Sequence, residues 1–231
     1  MKKSLFLAVL LFSSFAANAQ KIVSATSPDG QTKITVTVSD RIYYDVESHG
    51  ELLFRQNHIG MTLRDRTLGE KPVLKGKKVT KVSETITPIH PLKFSKVENS
   101  YTQLTLTFGG GYKVEWRVYD DGVAYRFITA LKGDIEVMGE DGTWQLATPA
   151  KLVLQQPGAF KTSCEEKYSV VASNEWKADD KMSELPILVM GEKQKVLISE
   201  FDLFDYAGVF LKSAGEGTNA FSIIQPKCPT E

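Results

Sequence analysis

Two adjacent glutamates, Glu165 and Glu166, have the chemistry of metal ligands. They lie in a segment that opens with Pro157-Gly158 and follows an apolar run, which places them in a loop. A carboxylate is a hard oxygen ligand of the kind that Ca²⁺ prefers, but a calcium site needs about six to eight oxygens. One loop cannot supply that number, so such a site would need ligands from elsewhere. Solvated loop acids are the other interpretation.

A second group of acids, Glu200, Asp202 and Asp205, follows an apolar run that ends at Ile198. Glycoside hydrolysis uses one carboxyl as a proton donor and another as a base or nucleophile, about 5 to 9.5 Å apart. These acids could form such a pair. The simpler interpretation is that they support turns or an interface.

Other familiar catalytic patterns are missing from the sequence. The histidines, His49, His58 and His90, have neither the i, i+4 spacing nor the neighbouring ligands of a zinc site. No serine occupies a G-x-S-x-G turn. The three glycines at 109–111 are not followed by a helix that could hold a phosphate, so they predict a hairpin turn.

The densest charged cluster is also a hairpin. Arg117 and Arg126 flank the tight turn Asp120-Asp121-Gly122. On a pleated hairpin both arginines can share a polar face near the acids of the turn. Neither arginine has an obvious partner for proton transfer, so we expect this cluster to stabilise the hairpin rather than to catalyse a reaction.

The elements that carry these residues are β-strands. Apolar and polar residues alternate at 33–38, 103–108 and 113–118, as in strands with one buried face. Further short strands are predicted at 41–46, 123–128, 151–154, 185–190, 195–198, 208–211 and 221–224, separated by turns such as Ser27-Pro28-Asp29-Gly30 and Asp141-Gly142. The one stretch of helical character, 173–183, is short and polar. The sequence therefore predicts an all-β fold, a large antiparallel sandwich.

The N-terminus predicts export. Lys2 and Lys3 precede an apolar run at 5–12, and Ala17-Asn18-Ala19 supplies a small-x-small cleavage site. The run is too short to span a hydrocarbon core of about 30 Å, and no cysteine follows the site to accept a lipid. We expect a signal peptide at 1–19 and a single periplasmic or secreted domain at 20–231, incomplete at its C-terminal end.

Charge and cysteine content limit the possible partners. The 28 basic residues balance the 28 acidic ones, and a neutral chain gains little from phosphates or anionic lipids. Nucleic acid and membrane surfaces are therefore not expected partners. The two cysteines, Cys164 and Cys228, are too few for a disulfide scaffold, although an oxidising compartment would permit one bridge between them or two separate thiols.

Several of these segments together resemble the N-terminal domain of glycoside hydrolase family 97, a family of exported α-glycosidases. The resemblance covers most of the mature chain and includes the segments at 27–30, 59–63, 117–127, 157–158, 165–168 and 200–206. The last segment is similar to the family pattern E-A-A-L-x-D-Y at Glu200, Leu203, Asp205 and Tyr206.

The resemblance implies a galactose mutarotase-like β-super-sandwich in front of a catalytic (β/α)₈ barrel. It also implies Ca²⁺-dependent release of terminal glucose or galactose from an α-linked oligosaccharide. The sandwich would contribute one calcium ligand, which Glu165 matches with Glu166 as the alternate, and part of the pocket wall, with Glu166 and Glu200 as candidates. Because 231 residues cannot contain the barrel, we expect no catalytic residue in this chain and a barrel supplied in cis or in trans.

Two other functions remain open. A stand-alone carbohydrate-binding β-sandwich module would stack sugars on Trp116, Trp144 or Trp176. An aldose-epimerase-like enzyme would need a histidine proton donor and a glutamate base. His90 and Glu200 are the candidates for that pair, although they lie far apart in the sequence.

Overall fold

A computed structural model describes residues 20–204 and 206–227. In these residues the chain forms β-strands and no helix, so none of the described segments is a helix long and apolar enough to cross a membrane. The strands are β1 (Lys21–Thr26), β2 (Thr32–Val38), β3 (Ile42–Ser48), β4 (Glu51–Leu63), β5 (Thr67–Leu68), β6 (Leu74–Ile86), β7 (Val97–Phe108), β8 (Tyr112–Tyr119), β9 (Gly122–Thr129), β10 (Val137–Gln145), β11 (Lys151–Gln155), β12 (Tyr168–Ala172), β13 (Ile187–Met190), β14 (Lys195–Ile198), β15 (Phe210–Ser213) and β16 (Ala220–Ile224).

The strands form three antiparallel sheets. The main sheet has the order β1-β2-β3-β4-β10-β16-β15, with β5 paired to β4. The meander sheet has the order β6-β7-β8-β9, so each strand pairs with its neighbour in sequence. The third sheet has the order β12-β11-β13-β14. The predicted all-β antiparallel architecture is confirmed.

One hydrophobic cluster joins the three sheets. Its fully buried members include Ile34 and Phe221 of the main sheet, Trp116 of the meander sheet, and Leu152 and Ile187 of the third sheet. Burial of a large apolar side chain contributes about 1.5–3 kcal/mol. The two smaller sheets therefore hold to the main sheet through shared apolar contacts.

In the main and meander sheets, the alternation of apolar and polar residues shows which face of a strand is buried. In β2 the residues alternate between buried and partly exposed along the whole strand, with Lys33 and Thr35 on the outer face. The turn predicted at Ser27-Pro28-Asp29-Gly30 joins β1 to β2, and the glycines at 109–111 join β7 to β8. Gly110 and Gly111 have positive φ angles of 92° and 80°, which favour glycine.

The turn predicted at Asp141-Gly142 is wrong, because both residues lie inside β10. A Cβ atom on Gly142 would lie 2.7 Å from Cδ1 of Ile223 in the neighbouring strand β16. Glycine is therefore present to admit a side chain from the next strand, not to turn the chain. Asp141 faces the other side of the sheet, where it pairs with Arg41 and His58.

The helical character expected at 173–183 is also wrong. The segment consists of turns, and Trp176 within it is fully buried, with its indole Nε1 donating to the carbonyl of Lys181 at 3.3 Å.

Cys164 is exposed, whereas Cys228 and the signal peptide predicted at 1–19 lie outside the described residues.

Candidate functional site

The third sheet positions all three glutamates singled out from the sequence. Glu165 and Glu166 lie just before β12, and Glu200 lies just after β14. The antiparallel register pairs Gln155 with Tyr168 at this end of the sheet. The start of β12 and the end of β14 therefore lie at the same end of the sheet, on its two opposite edges.

The structure does not bring the acidic pair and Glu200 together as a carboxylate couple. Two strands separate β12 from β14, which at the usual strand spacing puts their backbones about 14 Å apart. The Glu200 carboxylate is held locally, where it accepts the backbone N–H of Val209 at 2.9 and 3.0 Å. The glycosidase pair considered among Glu200, Asp202 and Asp205 gains no support, and Asp205 lies outside the described residues.

The loop that carries the acidic pair is anchored through its backbone. The side-chain amide of Gln155 donates to the carbonyl of Glu166 at 2.5 Å. The hydroxyl of Thr162 accepts the N–H of Cys164 at 3.1 Å and donates to the buried carboxylate of Glu184 at 3.4 Å. The carboxylates of Glu165 and Glu166 remain exposed.

An exposed acid on an anchored loop suits one part of a calcium site. The described residues, 20–204 and 206–227, contain no group of three or more His, Cys, Asp or Glu side chains placed to hold a metal ion. A Ca²⁺ ion needs more oxygens than Glu165 and Glu166 can provide. These two residues could therefore supply only part of the coordination shell of such an ion.

Glu200 belongs to a polar cluster that the sequence did not reveal. The N–H of Glu140 in β10 donates to the side-chain oxygen of Gln225 at 2.9 Å, and the amide of Gln225 donates to the carbonyl of Ala207 at 3.1 Å. The hydroxyl of Tyr206 hydrogen-bonds to the Glu140 carboxylate. These contacts tie Tyr206 and Ala207 to the main sheet.

Both acids of this cluster, Glu140 and Glu200, have raised pKa values. Burial raises the pKa of Glu140, and the charge of Glu200 adds to the rise, whereas the hydrogen bond from Tyr206 opposes it. Burial also raises the pKa of Glu200, against the effect of the Val209 N–H. Two nearby carboxyls with raised pKa values are a common feature of functional sites, and they also occur in structural networks.

Two tyrosines, the buried Tyr44 and the partly buried Tyr125, lie next to this cluster. Burial raises the pKa of Tyr125 well above its usual value, with smaller contributions from Tyr44 and Glu140. The ring centroids of Tyr44 and Tyr125 are 6.1 Å apart. The sequence could have indicated Glu140 only if β10 had been recognised as a strand, because alternation then puts Glu140 on the same face as Gly142, toward the core.

The arginine hairpin has a different ion pair from the one expected. Arg126 donates to the buried carboxylate of Glu115 through Nε at 3.1 Å and Nη2 at 2.9 Å, and Nε of Arg117 lies 3.6 Å from the same oxygen. The expectation that the arginines face the acids of the turn is wrong, since Asp120 accepts the N–H of Asp29 instead. The ion pair joins directly opposed residues of β8 and β9, which supports a structural role for the cluster.

A second polar network lies on the outer face of the main sheet. Asp141 accepts from Arg41 and lies 3.0 Å from Nε2 of His58, while Nδ1 of His58 lies 2.9 Å from the hydroxyl of Thr143. Although burial opposes it, the hydrogen bonds of His58 and Arg41 hold the pKa of Asp141 below its usual value. The four side chains form one chain of contacts, which links Arg41, just before β3, to β4 and β10.

The alternatives built on tryptophan and histidine find no support. Trp116 and Trp176 are fully buried, and Trp144 packs against the hydrophobic cluster, so the sugar-stacking role expected of the first two is wrong. His90 lies in the connection between β6 and β7 of the meander sheet, whereas Glu200 follows β14 of the third sheet. These residues lie on different sheets and do not form the epimerase pair.

Comparison with known proteins covers nearly the whole chain. Residues 25–230 match the family model described as glycosyl-hydrolase 97 N-terminal. In an alignment 242 positions long, the chain is 34% identical to a retaining α-galactosidase of Bacteroides thetaiotaomicron. That alignment covers 99% of this chain and 36% of the relative, so the chain spans about a third of the relative's length.

Solved structures share the fold. A glycoside hydrolase family 97 enzyme from Pseudoalteromonas sp. strain K8, in complex with acarbose, matches with a TM-score of 0.76 and 18% identity over 88% of this chain and 32% of its own. A β-arabinopyranosidase matches with a TM-score of 0.78 and 23% identity over 88% of this chain and 35% of its own. This likeness confirms the β-super-sandwich.

Proposed function

This chain belongs to the glycosyl-hydrolase 97 N-terminal family, and we propose that it is the N-terminal domain of an exported, calcium-dependent α-glycosidase. It carries no catalytic carboxylate. It supplies a calcium ligand and part of the wall of the substrate pocket to a catalytic domain that lies in cis or in trans. The observation that carries this proposal is the exposed acidic pair on an anchored loop of a domain matched over nearly its full length.

Glu165 is the proposed ligand, with Glu166 as the alternate. The hydrogen bond from Gln155 fixes the backbone at Glu166 and leaves both carboxylates free to reach a partner surface. When bound, calcium would act as a Lewis acid and orienting centre for the leaving oxygen of the sugar. The role of Glu165 is to hold the ion from the sandwich side.

The substrate class is an α-linked oligosaccharide. A relative that is 34% identical to this chain is an α-galactosidase, which favours galactose, and glucose is the other sugar considered. Glu200 and Glu166 lie at the same end of the third sheet, on opposite edges. They would form two sides of the pocket wall if the sugar binds beyond this end of the sheet.

A chimera tests the proposal directly. The chain replaces the matching part of the Bacteroides α-galactosidase, and hydrolysis of a nitrophenyl α-galactoside is measured against Ca²⁺ concentration. We expect Glu165→Gln, or Glu166→Gln if that residue is the ligand, to raise the Ca²⁺ needed for half-maximal rate at least ten-fold. Glu192→Gln is the matched control, because Glu192 is also exposed but lies at the opposite end of the third sheet.

Two outcomes of this experiment would overturn the proposal. One is unchanged calcium dependence in both glutamate variants. The other is turnover of the same substrate by the 231-residue chain alone, lost on changing Glu165 or Glu200, because the proposal places both catalytic carboxylates outside this chain. Calorimetry adds an independent readout, in which the chain alone should bind Ca²⁺ only weakly.

Export is proposed from residues 1–19, with cleavage after Ala19 and a periplasmic or secreted mature protein. Lys2, Lys3 and the apolar run at 5–12 support this location. Mass spectrometry of the protein expressed in a bacterial host should find Gln20 as the N-terminal residue. Recovery of the intact N-terminus from the cytoplasm alone would contradict it.

A further inference from the structure

We propose that the outer face of the third sheet is the docking surface for the catalytic domain, a domain that presents apolar side chains bordered by carboxylates. The inference rests on the proposed function, because the partner is the remainder of a longer α-glycosidase. It adds the surface and the chemistry by which the two parts meet.

The sequence of the third sheet is apolar at successive positions rather than at alternate ones. The strand β13 reads Ile-Leu-Val-Met, β14 reads Lys-Val-Leu-Ile, and β11 reads Lys-Leu-Val-Leu-Gln. Strands covered on one face alternate apolar and polar residues, whereas uninterrupted apolar runs are typical of strands covered on both faces. The pattern therefore predicts that something covers the second face.

The register places the additional apolar residues in one row. Val170, Val153, Leu188 and Leu197 lie opposite one another across the four strands. Val170 and Leu197, at the two edges, are each 62% exposed. The opposite face of the same strands is buried in the core by Leu152, Leu154, Ile187, Val189 and Ile198. The row is an exposed apolar stripe that crosses the whole sheet.

Residues beside this row extend the surface. Tyr168 is 59% exposed on the same face at the end that carries the acidic loop, and Met190 is 37% exposed at the other end. Exposed apolar patches of this continuity are uncommon on single domains and mark interaction surfaces. The main sheet differs, because its outer positions in β2 are occupied by Lys33, Thr35 and Thr37.

The end of the surface that carries Met190 has two lysines on its rim. Lys151 and Lys195 lie in the row of Met190 and are exposed. The ion pairs of the described residues include neither lysine. An apolar centre with a charged rim is the usual anatomy of a protein interface. Carboxylates on the partner would complement these two lysines.

The position of the proposed site residues identifies the occupant. Glu165 and Glu166 precede β12 and Glu200 follows β14, so all three leave the sheet at the end where Tyr168 lies. A domain seated on the outer face would therefore be within reach of the proposed ligand loop. The α-galactosidase relative is long enough to include such a domain, since this chain covers only 36% of its length.

Oxidative footprinting compares the chain alone with the chimera described above. Hydroxyl radicals label exposed methionine and tyrosine side chains. We expect labelling of Met190 and Tyr168 to fall at least five-fold in the chimera. Met138, which is 57% exposed on β10 of the main sheet, is the internal control and should keep its labelling.

A substitution shows whether the outer face itself makes the contact. Leu197→Lys should restore labelling of Met190 in the chimera, because it puts a charge at the edge of the apolar row. Ile22→Lys is the matched control, since Ile22 is 63% exposed on β1, an edge strand of the main sheet. It should leave the labelling unchanged. Both residues are exposed, so neither variant should impair folding of the lone chain.

Three results would overturn the inference: full labelling of Met190 in the chimera, equal effects of the two lysine variants, or protection of Met190 that rises with the concentration of the lone chain, which would identify a second copy as the occupant. The test separates this inference from the proposed function. Protection of Met190 together with unchanged calcium dependence in the Glu165→Gln and Glu166→Gln chimeras would support the docking surface and reject the calcium role. Full labelling of Met190 together with an at least ten-fold higher calcium requirement in the Glu165→Gln chimera would reject the docking surface and support the calcium role.

Discussion

Glu115 lies on the outer face of the meander sheet, yet only 8% of its side chain is exposed, because Arg126 and Arg117 cover it. Glu115→Gln would keep the shape and remove the charge that both guanidinium groups face. We expect the free energy of unfolding to fall by about 1–3 kcal/mol, measured by urea denaturation of the chain from Gln20. Glu47→Gln is the control, since its pair with Lys33 is exposed and worth about 0–1 kcal/mol. Equal losses would contradict this.

The backbone at Gly142 leaves little room for a side chain. Gly142→Ala would put a Cβ 2.7 Å from Cδ1 of Ile223 and 3.5 Å from the carbonyl of His58. We expect a loss of about 1–3 kcal/mol from overpacking, measured as a lower urea midpoint. Gly122→Ala has open space around its Cβ and no positive φ, so it should be neutral or slightly stabilising. A Gly142→Ala variant as stable as Gly122→Ala would show that Ile223 moves freely.

At the scale of elements, the segment 200–209 should hold to the main sheet in a pH-dependent way. Burial raises the pKa of Glu140, so the folded state binds this proton more tightly than the unfolded state does. The stability contributed by protonated Glu140 is fully present at a pH below its pKa in the unfolded state. It declines as the pH rises from that pKa through the higher pKa of the folded state. The hydrogen bond from Tyr206 favours the charged form and opposes the rise.

Tyr206→Phe removes that hydrogen bond. We therefore expect the pKa of Glu140 to rise further, measured by ¹³C NMR titration of its carboxyl. The decline of stability with rising pH should extend to higher pH in the variant. Tyr168→Phe, which changes an exposed tyrosine on the third sheet, should leave the titration unchanged. A lower pKa of Glu140 in Tyr206→Phe would show that the tyrosine does not support the charged form.

Local sequence determined most elements but few of the contacts between them. Strands β2, β7 and β8 were predictable because apolar and polar residues alternate at 33–38, 103–108 and 113–118, so each strand buries mainly one face. Strand β10 was not, since Gly139 and Gly142 imitate a turn inside it. The loop position of Glu165 followed from Pro157-Gly158. The cluster of Glu140 with Tyr206 could not be derived, because its members come from distant segments and no local pattern reports their pairing.

At the scale of the whole molecule, the three sheets share one hydrophobic cluster, and this should make them unfold together. Trp116 reports on the meander sheet and Trp176, which packs at 5.9 Å from Phe221, on the opposite part of the core. Two double variants leave one reporter each: Trp144→Phe with Trp176→Phe, and Trp144→Phe with Trp116→Phe.

In each double variant the fluorescence transition in urea should coincide with the loss of far-UV circular dichroism of the same protein. Coincident probes indicate one cooperative unit, as expected for a single domain at 20–231. The buried Phe replacements will lower both midpoints, so the comparison is between probes within a variant and not between variants. A fluorescence transition well separated from the circular dichroism transition in either variant would mean that one smaller sheet unfolds independently, and that the shared cluster does not couple the sandwich.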